Sequence, residues 1–374
     1  MSTLTETPAR TPARVAPPPT GTPPPPRRRS LWSVVTALSV TLALTVVVAV
    51  SLGTITIPFG DVWAIVGHRL SPTVFGSLLG EPWWSDTRDA IVFESRLPRA
   101  LTAAVVGASL AIAGAVAQAV TRNPLADPYL LGVSSGAGFG VATLTVLGFG
   151  AGVAGIFTLP LAAFAGALIP LAATVVVTLR AHSVTAIVLV GVALSMVFSS
   201  AITFVLLVLG DVHQLGTVMQ WLAGGFGDAT WLSLIAPTVV LVVVGAVVVL
   251  CGRQLDLLLT GDDGATALGM NVPRFRVLIL LAVSLLASAA VAVSGTIGFV
   301  GLLVPHLAVF LVGRNAARLI PTAALLGALA LVLADIIARS VSGTTELPIG
   351  VVTGLVGGPI FIAMLWRRYR RAAA

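Results

Sequence analysis

No lysine occurs anywhere in this 374-residue chain; all 21 basic residues are arginine. That absence excludes a phosphate-binding loop of the G-x-x-x-x-G-K-[S/T] kind and any Schiff-base chemistry. Work done across a membrane by such a chain draws on energy from another chain or from an ion gradient. Cysteine is nearly absent too. Cys251 stands alone, which rules out an intrachain disulfide and leaves no thiol pair for redox chemistry. Charge of either sign is scarce, at 9% of residues against roughly 25% in soluble domains.

What fills the chain instead is apolar, 57% of it, and gathered into ten runs: 32–51, 100–120, 130–149, 158–179, 184–209, 230–250, 277–294, 298–313, 319–339 and 348–366. A run of ~18–20 apolar residues is long enough to cross the hydrocarbon core, and only helices or closed barrels satisfy their backbone there. The expectation is an all-α membrane protein with about ten transmembrane helices in one bundle, spanning residues 31–367. Residues 1–30 differ in kind. Pro8, Pro12, Pro17 to Pro19 and Pro23 to Pro26 sit among Thr, Ala and Arg with no apolar period, a composition that cannot bury a core. They read as a disordered cytoplasmic tail rather than a signal peptide, since the basic Arg27 to Arg29 lie far from the start and no small-residue cleavage site follows. A basic tail, 368–374, closes the chain.

Short basic loops set orientation, because arginine accumulates on the cytoplasmic side. Arg10, Arg14, Arg27 to Arg29, Arg122, Arg180, Arg253, Arg274, Arg276, Arg314, Arg318, Arg367, Arg368, Arg370 and Arg371 share one face, 16 of the 21 arginines. That face is expected to be cytoplasmic, with both termini on it. A net charge of +7 would suggest nucleic acid in a soluble protein; here it reads as topology control and contact with the lipid bilayer, with no nucleic-acid partner. Arg69, Arg88, Arg96, Arg99 and Arg339 fall outside, against this bias. Within the second span, Gly107, Ala111, Ala115 and Ala119 form a small-residue stripe that predicts a central, closely packed helix. Trp83-Trp84 reads as an anchor at the outer interface.

Four segments stand out from the apolar background. Arg96-Leu97-Pro98-Arg99 opens the second span, with proline suited to a first helical turn. Arg122-Asn123-Pro124-Leu125-Ala126-Asp127-Pro128, followed by Gly132-Val133-Ser134-Ser135-Gly136, makes a stiff cytoplasmic corner. Gly261-Asp262-Asp263-Gly264-Ala265-Thr266-Ala267-Leu268-Gly269 reads as a helix of about six residues, capped by Asp262 or Asp263 and closed by Gly269. So short a helix is unstable alone and needs a surface to dock on. The fourth is Gly295-Thr296-Ile297-Gly298-Phe299-Val300-Gly301 to Pro305-His306, which precedes Asp335 to Arg339 and Glu346-Leu347-Pro348.

In order and spacing, these segments resemble the permease subunits of bacterial ABC importers for ferric siderophores, heme and cobalamin (FecCD-type), over residues 32–366. The resemblance implies a type II importer architecture in the bacterial cytoplasmic membrane. This chain would pair with a second permease subunit, identical or related, above two cytoplasmic ABC ATPase subunits and below an extracytoplasmic substrate-binding protein. It implies that Gly261, Asp262, Asp263, Ala265, Ala267, Leu268 and Gly269 couple to the ATPase, and that Arg96, Arg99 and Arg339 dock the binding protein. The chain itself would be non-catalytic and without a cofactor. Ferric siderophore is the expected cargo, with heme or cobalamin as alternatives. One departure is visible: Val309 stands four residues after Pro305, where the family usually has arginine.

Plainer readings accompany each motif. His306 has no second ligand at metal-binding spacing and reads as a helix-break histidine bonded to backbone. Asp335 and Arg339, at i,i+4, are placed to neutralise each other. An ion-coupled secondary transporter is the rival class, but such carriers place acidic or histidine relays within their spans. Asp335 is the one carboxylate clearly inside a span, and it already has Arg339 in reach.

Overall fold

A bilayer offers no water to backbone N–H and C=O groups, so each apolar run has to close its hydrogen bonds within itself. A computed structural model describes residues 30–53, 55–74, 82–149, 155–181, 184–341 and 346–373, and all ten expected runs are helical in it. They are α1 (Leu31–Ser51), α3 (Asp86–Thr121), α4 (Val133–Val146), α5 (Gly155–Ala181), α6 (Val184–Phe204), α8 (Trp231–Leu250), α11 (Val272–Ser294), α12 (Val300–Val312), α13 (Ala316–Val341) and α14 (Ile349–Ala373). Short helices in the connections include α2 (Phe59–Leu70), α7 (Val212–Ala223), α9 (Gly252–Leu258) and α10 (Asp262–Ala267). We call the end of the bundle that holds Arg96, Arg99 and Arg339 the outer end and the opposite one the inner end. The tail expected over 1–30 lies, apart from Ser30, outside the described residues. The backbone of α14 stays helical to Ala373, so the segment expected as a tail from 368 continues that helix.

Helix α3 sits at the centre, as its small-residue stripe requires. Its apolar window is 83% buried, against 17% for α1, α8 and α14 on the periphery. It packs against α13, α11, α12 and α8. At Gly107–Gly327 a Cβ on either partner would strike the facing backbone, and one on Gly114 would strike that of Gly301, so these glycines set how closely α13 and α12 approach α3.

Two features of the spans differ from the sequence reading. The second span begins near Asp86 rather than 100, and its residues Ala90–Arg96 form a π-type segment. The cause is Pro98. It has no N–H to donate, and its ring crowds the carbonyl four residues back, so the turn before it widens. Helices α4 and α12, with 14 and 13 residues, reach only about 20 Å, short of a full ~30 Å crossing. Both start inside the bundle. Asp127 caps a 3-10 turn, Pro128–Leu131, whose Tyr129 hydroxyl donates to the Ile297 carbonyl (3.2 Å) beside the start of α12. Gln118 Nε2 reaches the Leu302 carbonyl at 3.1 Å. The corner expected at the inner surface is thus folded up into the bundle, against the loop that leads into α12.

Candidate functional site

At the inner end the short helix is present over Asp262–Ala267, as its sequence predicts, but its cap differs. Gly261, at φ +96°, takes the N-cap place with no side-chain bond, a conformation that glycine supplies without steric penalty. Gly269, at φ +85°, closes the helix: its N–H donates to Thr266, and that of Met270 to Ala265. Neither aspartate caps. The Asp262 carboxylate instead turns toward the bundle and accepts from Arg276 Nη2 at 2.9 and 3.0 Å, with Arg122 Nη2 at 3.3 Å. Ala265 is fully buried among Leu258, Val272 and the main apolar core, so it docks the helix to its own chain rather than to a partner. What faces away is Asp263, Thr266, Ala267, Leu268 and Gly269, all exposed, with Leu268 at 64%.

Two partners of this helix escape a motif scan, Arg276 and Arg122. A signal for the first does exist. Arg276 lies three, four and seven residues before Ile279, Leu280 and Val283, so it falls on the buried stripe of α11 and needs a counter-charge. Its residue is 3% exposed.

At the outer end the three candidate arginines are buried in bonds to their own chain. Arg96 donates to the carbonyls of Val50, Ser51 and Ile55. Arg339 donates to those of Ala49 and Leu52, both at 3.0 Å. The last carbonyls of α1 have no partner within the helix, and they carry its negative dipole end, so two guanidinium groups complete that terminus. Arg99 bridges two acids, Asp335 through Nε at 2.8 Å and Glu346 through Nη1 at 2.7 Å. Asp335, itself fully buried, also lies 3.0 Å from Arg339 Nη2, the i,i+4 pair expected from sequence. Glu346 is the open member, its side chain 46% exposed.

Around this cluster the surface cations are Arg69 and Arg88. Arg69 pairs with Asp89 (Nε, 3.0 Å), whose hydrogen bonds first and charge second hold that guanidinium above its ordinary pKa. Arg88 pairs with Asp61 at 2.7 Å, and Trp83 Nε1 donates to the same carboxylate at 3.0 Å. Trp83 is exposed and meets Trp84 edge-on, which agrees with an interfacial anchor. His306 lines a cavity of about 20 Å³ with Pro124, Leu125, Phe361 and Met364. That is about the room one water needs and none for an organic cargo. Val309 is half-buried on α12, and nothing in the structure explains its departure from arginine.

A bundle of apolar, membrane-length helices with a central glycine-packed span, interrupted helices and a docked helix at one end is the build of a polytopic membrane protein. The FecCD transport family matches residues 41–367. The vitamin B12 import system permease protein of Vibrio cholerae is 42% identical over 318 residues, covering 82% of this chain and 94% of that one. The hemin transport system permease protein of Yersinia pestis is 39% identical over 293 residues, covering 76% of this chain and 87% of that one. A solved inward-facing conformation of an ABC transporter ascribed to the metal-chelate type superposes with a TM-score of 0.77 at 29% identity, covering 90% of this chain and 99% of that chain. The chain belongs to the FecCD transport family: it is the permease of an ABC importer.

Proposed function

We propose that this permease carries a metal chelate inward, powered by two separate ATPase chains that meet it at α10. The observation that supports this most directly is the state of α10 itself. It is fastened to the bundle through Ala265 and Asp262, yet leaves an uninterrupted face of Asp263, Thr266, Ala267, Leu268 and Gly269 uncovered at the inner end. A six-residue helix contributes little to bundle stability on its own, so its retention with an open face fits a docking role. The charges argue the same way. Asp335, the candidate in-span relay for an ion-coupled carrier, is held by two arginines and so is poorly suited to exchange a proton.

Cargo is assigned by class. Ferric siderophore is the expectation that the family resemblance implies, while vitamin B12 and hemin are the cargoes in the names of the two relatives above. All three are metal ions wrapped in a large organic ligand. The cavity beside His306 is too small for any of them, and we place the path between this chain and a second copy or relative. On the outer face we propose that, of the three arginines, Arg99 docks a binding protein, while Arg96 and Arg339 hold the end of α1. A partner carboxylate would reach Arg99 by taking the place of Glu346.

Uptake into proteoliposomes tests the reading. The complex, with its ATPase and binding protein, is supplied with cyanocobalamin, hemin or a ferric siderophore, with ATP or with a proton gradient alone. ATP-dependent uptake of one of the three is the expected result. Uptake driven by the gradient without ATP would overturn the assignment.

A further inference from the structure

The inner ion-pair cluster lies apart from the exposed face of α10. Three elements meet at one carboxylate: Asp262 at the start of α10, Arg276 on the following α11, and Arg122 at the end of the distant α3. Arg276 is buried, and Asp262 is the acid that pairs with it. A buried guanidinium holds its counter-charge firmly, because separation would leave an uncompensated charge out of water. Arg122 is different. Its side chain is 41% exposed, it ends α3 in a left-handed turn at φ +50°, and its guanidinium lies 3.4 Å from where a Cβ on Gly261 would sit. From Arg122 the chain runs directly through Asn123 to Pro128 into the turn whose Tyr129 bonds the Ile297 carbonyl.

We propose that Asp262 is a positioning residue for transport: it clamps α10 to α11 and to the corner after α3, so that a displacement imposed on α10 moves residues 122–132 and the Tyr129–Ile297 contact with it. The proposal rests on the reading that the ATPase meets α10. In it Asp262 does not touch the ATPase; Leu268 and its exposed neighbours do. Without the carboxylate, α10 keeps its apolar seat through Ala265 but loses its polar link to α3, and motion of the short helix dissipates in the connections around it.

Hydrogen exchange on the intact permease–ATPase complex tests this without knowledge of the cargo. Amide exchange is compared with and without ATP and vanadate for wild type, Asp262→Asn, Asp262→Glu and Arg122→Gln. In wild type, trapping should change exchange in peptides over 259–270 and over 118–132. Asp262→Asn should keep the first change and lose the second, Asp262→Glu should restore the second, and Arg122→Gln should lose it while the Arg276 pair remains. A structural role alone would not separate the two peptides. If both changes persist in Asp262→Asn and Arg122→Gln, or if wild type responds at 259–270 but not at 118–132, the clamp is refuted. Release of the ATPase from Asp262→Asn with release also from Asp262→Glu refutes it as well, since Asp262 would then be a contact. If wild type shows no change at 259–270 at all, the docking assignment of α10 has failed instead. Should Asp262→Asn not fold, Arg122→Gln decides alone, because Arg122 is exposed and its loss leaves the buried pair intact.

Discussion

The two ends of this bundle solve one problem, an acid shared between two arginines, in opposite ways. At the outer end Asp335 is fully buried between Arg99 and Arg339; Arg99 also donates to Glu346, and Arg96 and Arg339 donate to carbonyls at the end of α1. At the inner end Asp262 is 38% exposed, with one buried arginine and one open to solvent. Buried charges are strongly held once paired, and removing one partner leaves the other stranded. Exposed pairs are weak and exchange readily. The outer cluster therefore works as a fixed joint of α1, α3 and α13, and the inner one as a joint whose Arg276 arm is held and whose exposed Arg122 arm can be loaded and released.

The largest effect that would break this contrast is at Asp335. Asp335→Ala strands two guanidinium groups, with only Glu346 left to serve Arg99, and should cost about 3–5 kcal/mol. Thermal unfolding of the detergent-purified protein, or its loss as a monodisperse species, reads this directly. Asp262→Asn should cost less, about 1–3 kcal/mol, because the asparagine Oδ1 can still accept from buried Arg276 while the site stays open to water. Equal losses at the two ends would remove the distinction. The same geometry disqualifies charge reversal of Arg99 or Arg339 as a docking test, since a new carboxylate beside Asp335 would damage the fold itself.

A second contrast lies within α10. Ala265 is fully buried and Leu268 is 64% exposed, although the motif presents them as neighbours on one helix. Ala265→Glu drives a charge into the core and should destabilise the bundle by about 2 kcal/mol or more. Leu268→Glu should leave unfolding within about 0.5 kcal/mol of wild type while abolishing co-purification of the ATPase. If Leu268→Glu retains the ATPase and its uptake, this face is not the contact.

How much of this was legible in the chain follows from what each residue type signals. Ten helices, the central second span and the short helix between Gly261 and Gly269 were readable because apolar period, small-residue stripes and glycine punctuation are local signals. The Asp335–Arg339 pair was readable for the same reason, its two members being one turn apart. Which way Asp262 turns was not, because Arg276 and Arg122 reach it from other helices. Nor was the burial of Arg96, Arg99 and Arg339: their place against the positive-inside bias marks them as unusual, but the α1 carbonyls that occupy Arg96 and Arg339 leave no trace in side-chain sequence, and Asp335 and Glu346 reach Arg99 from far along the chain. The depth of the Pro128–Leu131 turn was hidden likewise, since prolines announce a corner without saying where it lies.

The smallest expected effect sharpens the outer end most. Glu346 is the one acid of that cluster open to solvent, so it occupies a donor on Arg99 that an acidic binding protein would need. Glu346→Gln removes the competing charge but keeps the side-chain length, and Asp335 still neutralises Arg99, so the fold should hold. Exposed pairs contribute ~0–1 kcal/mol, which limits the gain in binding-protein affinity to about fivefold at most. It should be accompanied by a faster association rate that falls as salt is raised, as electrostatic steering requires. Surface-bound permease titrated with binding protein at two ionic strengths measures both. An unchanged affinity and an unchanged salt slope would mean that the partner does not reach Arg99, and the arginines of the outer cluster would then serve only to join α1 to the bundle.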